Sequence, residues 1–141
     1  MWDYKSGSAW KYDEADPFRQ GRVIQPTLYI AMVAHRLRAE VSSKAKVAHF
    51  GFFFPGVKER GRRIEWDVAQ LAGGKKVLGH LVSIIRQGLF IATDNKDDCK
   101  YCNYGSICGD PAVVAAASVR KLAQAENEAL QPIRELRNDA Q

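Results

Sequence analysis

The sequence predicts an α/β fold: a mixed sheet with strands near residues 1–5 and 47–54, flanked by helices near 26–41 and 68–89, with a C-terminal cysteine loop. Three observations carry that prediction. The run VAHFGFFF at 47–54 is dense in aromatic residues and reads as a central strand. Val68, Leu71, Leu78, Val82, Ile85 and Leu89 recur at three- and four-residue steps, the period of an amphipathic helix. The opening Trp2-Asp3-Tyr4-Lys5 reads as a short aromatic strand, ended by the turn residues Ser6-Gly7-Ser8.

Taken in order, the remaining elements follow from local chemistry. Residues 6–24 carry Gly7, Pro17 and Gly21 among mixed charges and read as a loop. Pro26 suits a first helical position, where its missing N–H costs nothing. Leu28, Ile30, Ala31, Met32, Val33, Ala34, Leu37 and Val41 fill most faces of that helix, so it is expected to be largely buried. Pro55-Gly56 closes the central strand, and residues 58–63 form a basic turn leading to a short strand at 63–66. Within 68–89 only Lys75 interrupts the apolar stripe. The pair Gly73-Gly74 is its weak point, since each glycine costs about 1 kcal/mol against alanine, and two shorter helices remain an alternative. Residues 97–109 read as a loop. Asp110-Pro111 is an N-cap and first-turn pair for a final Ala-rich helix that Pro132 kinks or restarts.

Composition narrows the functional classes. A chain of 141 residues with 46% hydrophobic and 26% charged residues has an ordinary globular balance, not a disordered or fibrous one. No apolar run approaches the ~20 residues of a membrane-spanning helix, and the first residues carry no apolar signal-peptide core, so no membrane partner is expected. Three cysteines argue against a closed disulfide framework and for a reducing, cytoplasmic setting. The formal charge of +5 is concentrated: residues 25–64 hold Arg36, Arg38, Lys44, Lys46, Lys58, Arg60, Arg62 and Arg63 against Glu40 and Glu59. Such a stretch suits a polyanion such as nucleic acid, or is simply a solvated surface. Arg36, Lys58, Arg60, Arg62 and Arg63 are the candidate nucleic-acid contacts.

Three constellations bear on chemistry. Asp3 and Lys5 stand two apart on a strand, so their side chains leave one face together. A carboxylate that can hold Mg²⁺ or Mn²⁺ beside an ammonium that can stabilise a phosphorane suits phosphodiester hydrolysis; alone, the pair is equally a surface ion pair at a strand edge. Gln25 and Tyr29 are spaced i,i+4 on one helix face and can meet a partner at one end of the sheet, or serve as a helix-start glutamine and a core tyrosine. Cys99, Cys102 and Cys108, interleaved with Tyr101 and Tyr104, suit a soft metal centre. A cubane iron–sulfur cluster or tetrahedral zinc wants four ligands, and His35, His49 and His80 are remote in sequence.

Together these blocks resemble one family. D-Y-K-S-G, a loop containing D-P-F-R-Q-G-R, then Q-P-T-L-Y, then C-K-Y-C-N-Y-G-S-I-C resembles the PD-(D/E)XK nucleases of the RecB and AddB type, in their iron–sulfur branch. The resemblance covers residues 1–109, with 110–141 a C-terminal helical extension. It implies the restriction-endonuclease-like fold, with Asp3 and the Tyr4 carbonyl as metal ligands and Lys5 as the catalytic lysine. It implies that Gln25 and Tyr29 form the Q-x3-Y motif beside the active site. Cys99, Cys102 and Cys108 match the last three ligands of a [4Fe–4S] cluster whose fourth ligand this chain does not supply; zinc is the alternative. The implied reaction is Mg²⁺- or Mn²⁺-dependent DNA cleavage, mainly exonucleolytic, in end processing and repair.

The family pattern also includes a first cluster cysteine and an acidic ligand on a strand before the D-x-K strand, and neither is found here. The expectation is therefore the C-terminal part of such a domain, with little or no nuclease activity alone and partnered by a helicase–nuclease complex or a chain bearing the other half. A non-catalytic DNA-binding or scaffolding module and a small zinc-binding protein are the alternatives.

Overall fold

The computed structural model describes residues 1–139. The chain divides into two compact units, one of residues 1–79 with the chain from Leu136 onward, the other His80–Glu135.

The first unit is organised by a three-stranded sheet in the order β1 (Trp2–Tyr4), β2 (His49–Phe54), β3 (Arg62–Asp67). The run 47–54 is indeed the middle strand. β1 runs parallel to it with Asp3 opposite Phe52, and β3 runs antiparallel with Phe50 opposite Trp66 and Phe52 opposite Ile64. The opening strand thus finds its partner almost fifty residues later. Period-two alternation sends Phe50, Phe52, Phe54, Ile64 and Trp66 to one face, where each is 0–1% exposed. Burying a side chain of this size is worth about 2–3 kcal/mol. Phe52 is the hub, edge-to-face against Phe50 at 5.1 Å and Trp66 at 5.7 Å between ring centroids.

Residues 6–24 are not a bare loop. They contain a 3₁₀ turn, Ala9–Lys11, and fold over the sheet: Ala9 and Phe18 are buried, and the Trp66 indole N–H donates to the Glu14 carbonyl at 2.8 Å. Helix α1 spans Gln25–Glu40 with Pro26 in its first turn, close to the expected 26–41. Its burial differs from expectation. Only Pro26 and Ala34 are buried, while Leu28 and Tyr29 are partly exposed and Met32 is 66% exposed. Apolar residues surround this helix on most faces, so its sequence cannot tell which face meets the sheet.

The long helix expected over 68–89 is also shorter. Residues 68–73 are turns, and α2 spans Gly74–Gln87. The helix starts at the glycine pair, where Gly74 lies against Thr27 of α1 and leaves no room for a Cβ. The phase set by Val68 is lost at that break. Leu71, Val77 and Ile84 are the buried residues, and Val82 and Ile85 are exposed.

In the second unit, residues 97–109 hold more helix than a loop. A 3₁₀ turn, Lys96–Cys99, is capped by the Asn95 side chain, and a short α3 covers Gly105–Cys108. Helix α4 (Pro111–Ala123) starts as read from the sequence: the Asp110 carboxylate accepts from the Ala112 N–H at 2.7 Å. The chain restarts as α5 (Gln131–Asp139) at Pro132. The Arg134 guanidinium closes the intervening turn on the carbonyls of Leu122, Gln124 and Asn127. Among the described residues, no helix is long and apolar enough to cross a membrane.

Candidate functional site

β1 places Asp3 and Lys5 on the face it shares with Phe52. The Lys5 backbone N–H donates to the Phe53 carbonyl at 2.8 Å, which continues the β1–β2 ladder and fixes where its side chain leaves the sheet. The Lys5 ammonium lies 2.9 Å from Asp3 Oδ2 and donates to Gln25 Oε1 at 2.8 Å. It rests 4.9 Å from the Phe52 ring centre and 5.9 Å from that of Tyr12. Side-chain exposures of 20% and 19% put the Lys5–Asp3 pair in a shallow recess, shielded enough for charge attraction to exceed that of an open surface pair.

Asp3 Oδ2 is buried and accepts no well-aligned hydrogen bond, so the Lys5 charge is its only compensation among the described residues. A buried carboxylate oxygen left in this state fits a cation ligand. The described residues bring no three His, Cys, Asp or Glu side chains together as a metal-holding group, so Asp3 is a single carboxylate donor here.

Of the four residues singled out by the D-x-K and Q-x3-Y spacings, Asp3, Lys5 and Gln25 converge. Tyr29 stands one helical turn on and meets the sheet through Phe50, edge-on at 6.2 Å. Two contributors escaped the sequence reading. Tyr12 packs at 4.3 Å on Phe52 and forms one wall for the ammonium, but lies in an aperiodic segment that gives no sign of its direction. Glu59 was legible only as the lone acid within the basic turn.

That acid has a structural task. Its Oε1 accepts from the Ser8 hydroxyl at 2.6 Å and the Ala9 N–H at 2.9 Å, which ties residues 8–9 to the β2–β3 turn. The Ser8 and Ala9 hydrogen bonds, helped by the charges of Arg62 and Lys58, hold the Glu59 carboxyl below its ordinary value. The candidate nucleic-acid cations are spread. Lys58 and Arg60 are exposed on that turn, and Arg62 begins β3. Arg63 stacks on the opposite sheet face, 5.5 Å from the Trp2 ring centre and 5.4 Å from that of Phe53. Arg36 is paired with Glu40 at 3.0 Å on the exposed side of α1.

In the second unit, Cys99, Cys102 and Cys108 line one cavity of about 290 Å³ with Tyr104 and Val114. All three are free thiols. Partial desolvation, then the neighbouring Cys102 and Cys108 sulfurs, push the Cys99 thiol up. Three sulfurs lining one cavity fit a soft metal centre by donor type. They are not drawn in to ligating geometry. His49 lies 3.9 Å from Glu65, and His80 lies 3.4 Å from Glu135.

Comparison with curated proteins and with solved structures finds no match. A family profile described as the PD-(D/E)XK nuclease superfamily matches residues 1–109, the span that contains the sheet, α1, the Asp3–Lys5–Gln25 cluster and all three cysteines. With more than half of its length matched, the chain belongs to the PD-(D/E)XK nuclease superfamily.

Proposed function

We propose that this chain is a module of a metal-dependent DNA nuclease of the RecB/AddB type, acting on DNA ends in repair. The observation that carries the reading is the convergence of Asp3, Lys5 and Gln25, from a strand and a separate helix, around one ammonium. Asp3 and the Tyr4 carbonyl would hold Mg²⁺ or Mn²⁺, which lowers the pKa of a bound water and offsets charge on the phosphate. The chain's own residues do the rest. Gln25 Oε1 accepts one Lys5 N–H and the Asp3 Oδ2 charge holds the ammonium in place, leaving a further N–H to reach a phosphate oxygen. The Phe52 ring below and Tyr12 beside the ammonium restrict its movement, so it is already aimed as negative charge builds on the phosphorane. Tyr29 braces the helix that presents Gln25.

One carboxylate is a sparse ligand set. β1 is a sheet edge, so a partner segment laid beside it would bring a second acid next to Asp3. A chain that supplies this segment, within a helicase–nuclease complex, is the partner we propose. The three cysteines would hold the iron of a [4Fe–4S] cluster, with the fourth ligand from the same partner, or a zinc ion.

The test is cleavage of end-labelled DNA with Mn²⁺ or EDTA, by the chain alone and with a co-expressed partner. Metal-dependent cutting that falls at least about 100-fold in Lys5→Ala and Asp3→Asn is expected. Full cutting by Lys5→Ala would remove the assignment. A second reading, DNA binding without cleavage, draws on the single carboxylate; salt-sensitive binding with no cutting under any metal would favour it.

A further inference from the structure

We propose that the cavity beside Lys5 is a nucleotide subsite, in which an unpaired base of the DNA strand next to the scissile phosphate stacks on Trp10 while Lys11 contacts its phosphate. The proposal rests on the nuclease reading and goes beyond it by assigning Trp10 and Lys11 as the residues that hold the nucleotide next to the scissile phosphate.

A cavity of about 240 Å³ opens at the D-x-K site, and its lining includes Lys5, Ser8, Trp10, Lys11, Tyr12 and Phe54. Its walls are therefore aromatic and cationic, and they include the one ammonium the proposed chemistry needs. The volume suits a single nucleobase better than a drug-sized ligand. Trp10 is 52% exposed, although the residues on both sides of it are anchored. Ala9 is fully buried, with its N–H and the Ser8 hydroxyl held by Glu59, and Tyr12 is packed on Phe52. Slack in the loop does not account for the exposure; the 3₁₀ turn Ala9–Lys11 holds the indole at the cavity wall. Lys11 Nζ and the Arg19 guanidinium lie over the Trp10 ring, 5.9 and 6.0 Å from its centre, so a base that stacks on the indole displaces a cation from the ring toward its own phosphate. An indole with flanking cations is the arrangement that binds single strands, because every base has a face to stack and every link a charge. Bases within a duplex are already stacked on each other, which restricts this subsite to an unpaired nucleotide.

The test is fluorescence anisotropy of the full chain with a labelled oligothymidylate and, separately, a blunt duplex, in EDTA and at fixed low salt. The unsubstituted chain, Trp10→Ala, Trp10→Phe and Lys11→Ala are compared, with folding checked by circular dichroism. Trp10→Ala is expected to weaken single-strand binding about tenfold or more while Trp10→Phe keeps most of it, and duplex binding should change less than about twofold. Lys11→Ala should weaken binding and flatten its salt dependence. Equal single-strand affinity of the parent and a folded Trp10→Ala would overturn the subsite alone. Absence of DNA binding by the parent chain would likewise overturn this inference, whereas the nuclease reading falls only if the partnered chain fails to cut DNA with Mn²⁺.

Discussion

Gly51→Ala tests how β1, the strand that carries the candidate site, is held. Gly51 faces Trp2 across the β1–β2 pairing, and a Cβ there would stand 2.5 Å from Trp2 Cζ3 and 2.8 Å from the Ile64 carbonyl oxygen. These two obstacles differ in kind. The indole is 36% exposed and can swing toward solvent at small cost. The carbonyl belongs to β3, whose ladder to β2 fixes it in place. Forcing a methyl into such a site costs about 1–3 kcal/mol, and alanine's smaller unfolded-state entropy returns about 0.4–1 kcal/mol. The net loss is about 1–2 kcal/mol. With a urea slope near 2 kcal/mol per M, the unfolding midpoint falls by about 0.5–1 M. Trp2→Ala combined with Gly51→Ala should recover only part of that loss, since the Ile64 clash remains. Because β1 carries Asp3 and Lys5, cleavage should fall further than stability does. An unchanged midpoint for Gly51→Ala would refute this account of β1 docking.

Other substitutions probe other links. Gln25→Leu removes the acceptor for Lys5 Nζ at nearly constant volume; a stability loss of about 1.5–3 kcal/mol by urea unfolding, with reduced cleavage, is expected. Glu59, held below its ordinary value of 4.5, stabilises the fold fully above that value and releases residues 8–9 as pH falls through the lower folded value. The Ala9 amide resonance should therefore titrate below pH 4.5, and not at all in Glu59→Gln. Thr27 Oγ1 is buried without a hydrogen bond against Gly74, so Gly74→Ala should be strongly destabilising alone and partly rescued by Thr27→Ala, measured by urea unfolding.

What the sequence reveals here follows what has a period. Two-residue alternation placed Asp3 with Lys5, and the dense aromatic run at 47–54 marked β2 as the middle strand. The i,i+4 spacing put Gln25 and Tyr29 on one helix, and the family motif joined that helix to the strand; the contact itself is with Gln25, while Tyr29 reaches Phe50. The glycine pair at 73–74 signalled a break because glycine costs helix stability, while the need for glycine at 74, packed against Thr27, shows only in the tertiary structure. α1 defeated the burial expectation because apolar residues on most faces define no preferred side. Tyr12, Trp10 and the Glu59 clamp belong to segments fixed by tertiary hydrogen bonds and aromatic packing, which leave no repeat in the chain. The cysteine spacing pointed to a metal centre; the three sulfurs line one cavity, yet spacing alone does not set ligating geometry.

The central claim is that the Asp3 carboxylate, with Oδ2 buried beside Lys5, takes a divalent cation. Titration of the isotopically labelled chain with Mn²⁺, followed by paramagnetic broadening of backbone amides, tests it directly. Broadening should be strongest for residues 3–5 and for Phe52 and Phe53 across the ladder, and should vanish in Asp3→Asn. Broadening centred elsewhere, or unchanged in Asp3→Asn, would contradict it.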